Sequence, residues 1–439
     1  MRTPQISMVA FEERRKKLSS QLKEAALILV ANPEYIRNGD VAHAYRQETN
    51  FFYLTGFEEP NSIFVYRPGK NPETVLFVMP KNPHQETWTG FRYGTDGAKK
   101  HFHVDATYSI ESVRVELPKL LADVEQIYHT LFIDQNFDHL LLEMVKELAS
   151  SRSRANRGHL PILDPRAMIG ELRICKSPAE IDWHRRACVA SGEAHVEVMK
   201  AVRPGINERA LHGVFLRAIM ERGCAREGYG AIVASGENAT TLHYTFNDQT
   251  CRDGKLLLLD AGGELNYFSG DITRVFPVNG RFNEAQKRIY QKVLDVQKDL
   301  VAMVKPGISR ESLQKETISR LTDVMIDEKL LKGRKEDLIE KKEYLKFYMH
   351  GVSHWLGMDV HDAGVISVNG EPRLVEPGFV LTVEPGLYVS ADIPGIPDEL
   401  RGIGIRIEDD ILVTESGNEN LTIRCPKEIA EIEAVMAKG

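Results

Sequence analysis

Three of the chain's 14 histidines fall within HGVSHWLGMDVHD, residues 350–362. His350 and His354 are four apart, the spacing that sets two imidazoles on one helical face. Yet position 351 is Gly, where a zinc-protease helix of the H-E-x-x-H type carries its glutamate. Gly357 and the β-branched valines also break the helical period. As an extended segment, the stretch puts His350 and His354 on one face and His361 on the other. Imidazole can ligate a metal, move a proton or simply pack, and spacing leaves those roles open.

Carboxylates supply the partners. LLLLDAGGELNYFSGDITRVFPV, residues 256–278, reads as a buried strand, a Gly-rich turn and a return strand. Asp260 and Asp271 are symmetric about the 265–266 junction, so a simple hairpin sets them opposite each other, with Cβ atoms about 4.5–5.5 Å apart. Such a pair repels unless a cation lies between the acids or one is protonated. Either Asp alone is also an ordinary turn or cap residue. Glu384 ends FVLTVEPG and Glu408 lies in GIGIRIEDD, and a Glu in such an apolar run is costly to bury unpaired. Glu384-Pro385-Gly386 also reads as a turn, and Arg406 is a ready partner for Glu408. Taken together, Asp260, Asp271, Glu384, Glu408 and His354 make an oxygen-rich donor set with one nitrogen. That set suits Mn²⁺-like ions better than a thiolate-type structural zinc. Four negative charges balance two dications, which points to a dinuclear centre of the kind aminopeptidases use.

The elements that must position these groups follow an α/β pattern. Residues 11–24 have helical character, and the short apolar strands AALILVAN, FFYLTGF, SIFVYRP and TVLFVMP come next. The basic, Ser- and Pro-containing stretch 150–168 reads as a connection. A new register begins at Ser177-Pro178, with a long helix to about Lys200. Helix punctuation then occurs twice, as Val202-Arg203-Pro204-Gly205-Ile206-Asn207 and Val304-Lys305-Pro306-Gly307-Ile308-Ser309, offset by 102 residues. Asn207 and Ser309 are both good N-caps. The repeat is either common helix–loop–helix chemistry or the mark of a duplicated half with a site between the copies.

Composition excludes several classes. With 439 residues, two or three domains are expected. A net charge of −7 argues against a general affinity for nucleic acid or anionic membrane. No apolar run approaches the roughly 20 residues of a membrane span, and the charged, amphipathic start of the chain points to a cytoplasmic protein. Five dispersed cysteines without a C-x-x-C pair read as reduced packing residues.

The order D-x10-D, HG-x-SH-x-LG-x-DVHD, T-x-EPG and G-x-RIED resembles the creatinase, prolidase and aminopeptidase P group of pita-bread metallopeptidases. YRQETNFFYLTGFEEP, 45–60, and ETWTGFR, 86–92, extend the resemblance to the N-terminal part. It implies an α/β N-terminal domain over 1–170 and an α+β pseudo-twofold pita-bread catalytic domain over 171–439. It further implies two divalent ions, with Asp260 on one, His354 and Glu384 on the other, and Asp271 and Glu408 bridging. Glu384 would also take the proton of the attacking water. His243 and His361 resemble the pair that binds the scissile peptide group and its oxyanion, and His350 a residue on the proline side. Arg406 resembles a group that supports the metal ligands.

The implied activity is release of the N-terminal residue from peptides with proline second. A prolidase acting on Xaa-Pro dipeptides is the near alternative, with Arg373 and Arg401 as the candidates to cap the proline carboxylate. A catalytically dead binding module is the alternative from another class, disfavoured because all five candidate ligands are present. The resemblance also implies a homo-oligomer, dimer or tetramer, in which Trp88 reaches a neighbouring subunit's site.

Overall fold

The computed structural model describes residues 6–439 and divides the chain into two compact units, parting after Leu172. In the first, six strands form a mixed sheet in the order Ala106–Ser109, Thr74–Val78, Ile63–Tyr66, Ala25–Val30, Gln126–His129, Ile162–Leu163. The central strands are buried on both faces and so read as continuous apolar runs. Ala26, Ile28, Val65 and Phe77 pack with Leu117, Leu121, Phe137 and Leu141 of the helices Val113–Leu121 and Gln135–Arg154. Stretch 150–168 is not the connection its composition suggests. It holds the end of the helix Gln135–Arg154 and the sheet's last strand, and buried Arg152 donates to the Val124 carbonyl. A basic residue that satisfies backbone carbonyls from within a fold has the same composition as one in a linker.

The second unit repeats one design. A helix pair, Pro178–Ala201 and Glu208–Glu221, accompanies a three-stranded sheet of Ile232–Ser235, Leu256–Ala261 and Ile272–Pro277. A second pair, Glu284–Met303 and Arg310–Asp327, accompanies Val380–Val383, Asp409–Val413 and Asn418–Asn420. The two punctuation motifs are structurally equivalent. Gly205 and Gly307 adopt φ of 87° and 89°, which favours glycine. Gly205 N donates to Cys251 O and Cys251 N to Ile206 O, at 2.9 and 2.8 Å. Gly307 N donates to Val375 O and Val375 N to Ile308 O, at 3.0 and 2.8 Å. Asn207 and Ser309 cap the following helices by accepting from Arg209 N and Ser312 N. Identical hydrogen bonding at both places favours the duplicated half over coincidental turn chemistry. One apolar core, including Leu211, Phe215, Leu257 and Leu313, runs through both halves.

The halves are fastened by a buried ion pair. Arg274 and Asp409 have no exposed side-chain surface and meet at 2.7 Å. Arg274 also donates to the carbonyls of Cys425 and Pro426, and Asp409 accepts from Thr422, Gln297 and Asn420 and from a second cation, Lys427, which would compensate part of its charge if Arg274 were lost. A buried pair held by further hydrogen bonds is costly to break from one side, because the remaining charge keeps its desolvation penalty. Arg274→Met is expected to lower stability by about 3–5 kcal/mol, measured by urea unfolding. A loss below about 1 kcal/mol would show that the pair is not a fastener.

Burial also makes the fold acid-sensitive through histidine. His184 and His195 have no exposed surface, and desolvation lowers them from about 6.5 to about 3 and about 4. As pH falls below about 6.5, the unfolded chain takes up protons that the folded chain refuses. Each histidine therefore removes stability at up to about 1.4 kcal/mol per pH unit, down to its folded value. Urea unfolding of His195→Gln between pH 6.5 and 4.5 is expected to show a shallower pH dependence than the parent. Parallel curves would count against a neutral His195.

Candidate metal centre

The first hairpin is not the simple one its symmetry suggests. Asn266 and Tyr267 both take positive φ, the two-residue turn that matches strand twist. This centres the hairpin one residue later, so Asp260 pairs with Thr273 and not with Asp271. The register moves by two, which preserves the face. Both carboxylates consequently reach one hydroxyl: Tyr229 Oη lies 2.5 Å from Asp260 Oδ1 and 2.6 Å from Asp271 Oδ1. Close packing of the hairpin needs Gly262, where a Cβ would lie 1.7 Å from the Gly270 carbonyl oxygen.

The second half presents its acids more directly. Val383 pairs with Asp409 and Gly386 with Arg406, so Glu384 and Glu408 fall opposite each other where the two ladders meet. Glu408 N donates to Thr273 O and Thr273 Oγ1 to Glu408 Oε2, at 3.1 and 2.6 Å, which joins the hairpins of the two halves.

Segment 350–362 is an irregular loop stitched to the strand Val380–Val383. Thr382 N donates to His354 O and Glu384 N to Val352 O. His354 Nδ1 donates to Trp355 O, which turns Nε2 toward Asp271 Oδ2 at 3.3 Å and Glu384 Oε1 at 3.7 Å. His361 does not take the opposite face. Its ring meets that of His354 at 4.4 Å between centroids, because a loop does not keep strand parity. His350 Nδ1 donates to Gly351 O and its Nε2 accepts from Tyr388 Oη, at 2.8 Å each. Burial, then the charge of Arg406, lowers His350 to about 4, so it is a neutral imidazole of defined tautomer.

Asp271, His354 and Glu408 offer ligand atoms that all lie within 4.8 Å of one another. Asp260 and Glu384 join them in lining a cavity of about 560 Å³, together with His243, His350, His361 and Arg406. His243 stands exposed at its rim. Arg406 donates to Asp260 Oδ2, Thr273 Oγ1 and Tyr388 Oη, so its partner is Asp260 rather than Glu408. Burial raises Glu408 well above the usual carboxylate range, with repulsion from Asp271, Glu384 and Asp260 adding to it. Burial likewise raises Glu384 to about 7. His354 is raised to about 9, as Asp271 and Glu384 outweigh a burial that alone would lower it. Carboxylates this crowded, with an imidazole nitrogen aimed among them, fit divalent cations, whose binding displaces the protons. Tyr229 reaches the crevice from outside the acid-bearing strands and has no spacing signal in the sequence, whereas Thr273 and Tyr388 lie within a few residues of Asp271 and Glu384 but are polar groups that any strand could carry.

Comparisons with known proteins place the chain in a family. The model of metallopeptidase family M24 matches residues 182–415, and that of the aminopeptidase P N-terminal domain matches 11–128. Xaa-Pro aminopeptidase of Haemophilus influenzae is 41% identical, covering 97% of this chain and 96% of its own. Aminopeptidase PepP of Pseudomonas aeruginosa superposes with a TM-score of 0.95 at 39% identity, over 99% of this chain and 98% of that one. Zn-substituted Escherichia coli aminopeptidase P in complex with product superposes with 0.94 at 39% identity, over 99% of both. With a pita-bread catalytic domain behind an aminopeptidase P N-terminal domain, the chain belongs to metallopeptidase family M24.

Proposed function

We propose that this metallopeptidase releases the N-terminal residue from peptides whose second residue is proline, as its relatives' names describe. The observation that carries the reading is one crevice with four carboxylates and His354 at its base and three further histidines around it. Residues 171–439 would form the catalytic domain and 1–170 an accessory one. Asp260, Asp271, His354, Glu384 and Glu408 would hold two divalent ions, Mn²⁺ by the hardness of the oxygen set. When bound, the ions supply Lewis acidity and a water of lowered pKa.

The chain's own groups do the rest. Glu384, whose proton affinity burial raises, accepts the proton of the attacking water. His243 and His361 donate to the scissile peptide group and its developing oxyanion. A bond before proline has no N–H, so recognition falls to ring shape, and neutral His350 forms a wall of that pocket. Arg406 holds Asp260 in position. Arg373 and Arg401, the residues that could cap a dipeptide's proline carboxylate, face Glu376 at 3.8 Å and Asp398 at 2.9 Å, which favours an aminopeptidase over a prolidase. Trp88, 81% exposed on the helix Pro83–Thr89, supports contact with a second copy in a dimer or tetramer. No helix among the described residues is long and apolar enough to cross a membrane, in keeping with a cytoplasmic enzyme.

Metal analysis separates ligand from catalyst. His354→Ala is expected to lose metal, whereas His361→Ala should keep both ions and lose about 10²–10³-fold in kcat. Equal metal depletion in the two variants would refute that division. Chelation should abolish activity and Mn²⁺ restore it.

Substrate length tests the activity itself. Xaa-Pro-Yaa peptides are expected to be cleaved with higher kcat/KM than Xaa-Pro dipeptides, and Pro→Ala at the second position should lower it sharply. Turnover of dipeptides alone would replace this reading with the prolidase one.

A further inference from the structure

A second cavity, of about 410 Å³, adjoins the metal crevice, and Arg310, Gly351 and Ser353 line both. Its remaining wall includes Trp355, Gln314 and Arg373. Arg310 is half-buried at the junction. One Nη donates to the Ser353 carbonyl and the guanidinium lies 4.9 Å over the Trp355 ring. Among the described residues no carboxylate lies within ion-pair distance of it, and the acid whose charge reaches it is Glu384 of the metal crevice. The acid nearest in sequence, Glu311, is engaged by Lys315 at 2.5 Å, and Arg373 faces Glu376. Several side-chain polar atoms behind this wall, among them Arg310 Nε, Ser353 Oγ and Trp355 Nε1, are buried and find no hydrogen-bond partner among the described residues. A half-buried guanidinium without a carboxylate partner is a costly arrangement that an anionic ligand would relieve.

A peptide's cationic amino end is drawn to the crevice carboxylates, so its remaining length must leave the crevice by another route. We propose that the second cavity receives the residue after proline and that Arg310 binds a carboxylate carried by it. The carboxylate is either the C-terminus of a tripeptide or an acidic side chain. This inference rests on the Xaa-Pro aminopeptidase reading and names a specificity that the metal ligands do not set. Guanidinium suits the task because its planar fork meets a carboxylate with two donors.

The test compares Ala-Pro-Ala, its C-terminal amide and Ala-Pro-Glu amide on metal-loaded protein, with Arg310→Gln and Arg310→Lys. Gln keeps a donor for the Ser353 carbonyl without the charge. It is expected to lower kcat/KM for the free acid, the glutamyl amide or both about tenfold or more relative to Ala-Pro-Ala amide, whatever the change common to all three peptides. Which substrate loses identifies the source of the carboxylate, and Lys should retain part of the preference. Ratios between substrates are independent of the fraction of variant that folds. Calorimetry should show the product Pro-Ala binding more tightly than Pro-Ala amide to the parent and equally to Arg310→Gln. Equal losses on all three peptides would overturn the proposal and leave Arg310 as a support for the 350–362 loop. Failure of the unmodified protein to cleave any of them would instead overturn the aminopeptidase reading.

Discussion

Mutual repulsion among Asp260, Asp271, Glu384 and Glu408 is the constraint around which the C-terminal unit is organised. Water would screen such charges at a surface, but these side chains line a crevice in which burial raises the proton affinity of Asp260, Glu384 and Glu408. Three of the four acids are held by neighbouring side chains. Arg406 holds Asp260, Tyr229 spans Asp260 and Asp271, and Thr273 donates to Glu408. Arg406 brings one positive charge against four negative ones, so the crevice keeps an excess of negative charge that divalent cations would neutralise.

Duplication explains how two acids come from each half. In both copies a helix pair ends on the same Pro-Gly turn and cap, and a strand pair brings a carboxylate pair to the crevice. The copies are not equal in detail. Glu384 and Glu408 face each other in register, whereas Asp260 and Asp271 are staggered by the Asn266-Tyr267 turn and meet through Tyr229. The loop 350–362 lies in the second half, and its His354 brings a nitrogen among the carboxylates from that side alone.

Within that loop the three histidines differ because their second nitrogens differ. The Trp355 carbonyl takes the Nδ1 proton of His354, which leaves Nε2 as a donor to metal. His350 gives its proton to Gly351 and accepts from Tyr388, so it is spoken for as a neutral wall residue. His361 packs edge-on against His354 with charge nearby from Arg310. Two of these identical side chains, His350 and His354, are thus oriented differently although each donates to a carbonyl one residue on.

The donor types, their order along the chain and the duplicated helix punctuation were legible in the sequence, since each depends on local chemistry or on residue identity alone. Helix caps at Ser177, Asn207 and Ser309 are of this kind. Tertiary structure alone decided the register of Asp260 against Thr273, because the turn centre depends on two left-handed residues whose sequence, Asn-Tyr, carries only half of the usual turn signal. It also decided the course of 350–362, where pairing with a distant strand overrides any local period, and the place of 150–168 within a sheet rather than beside it. Tyr229 and Arg310 became visible only in the fold, since a side chain that supports a site from another element shares no spacing with it.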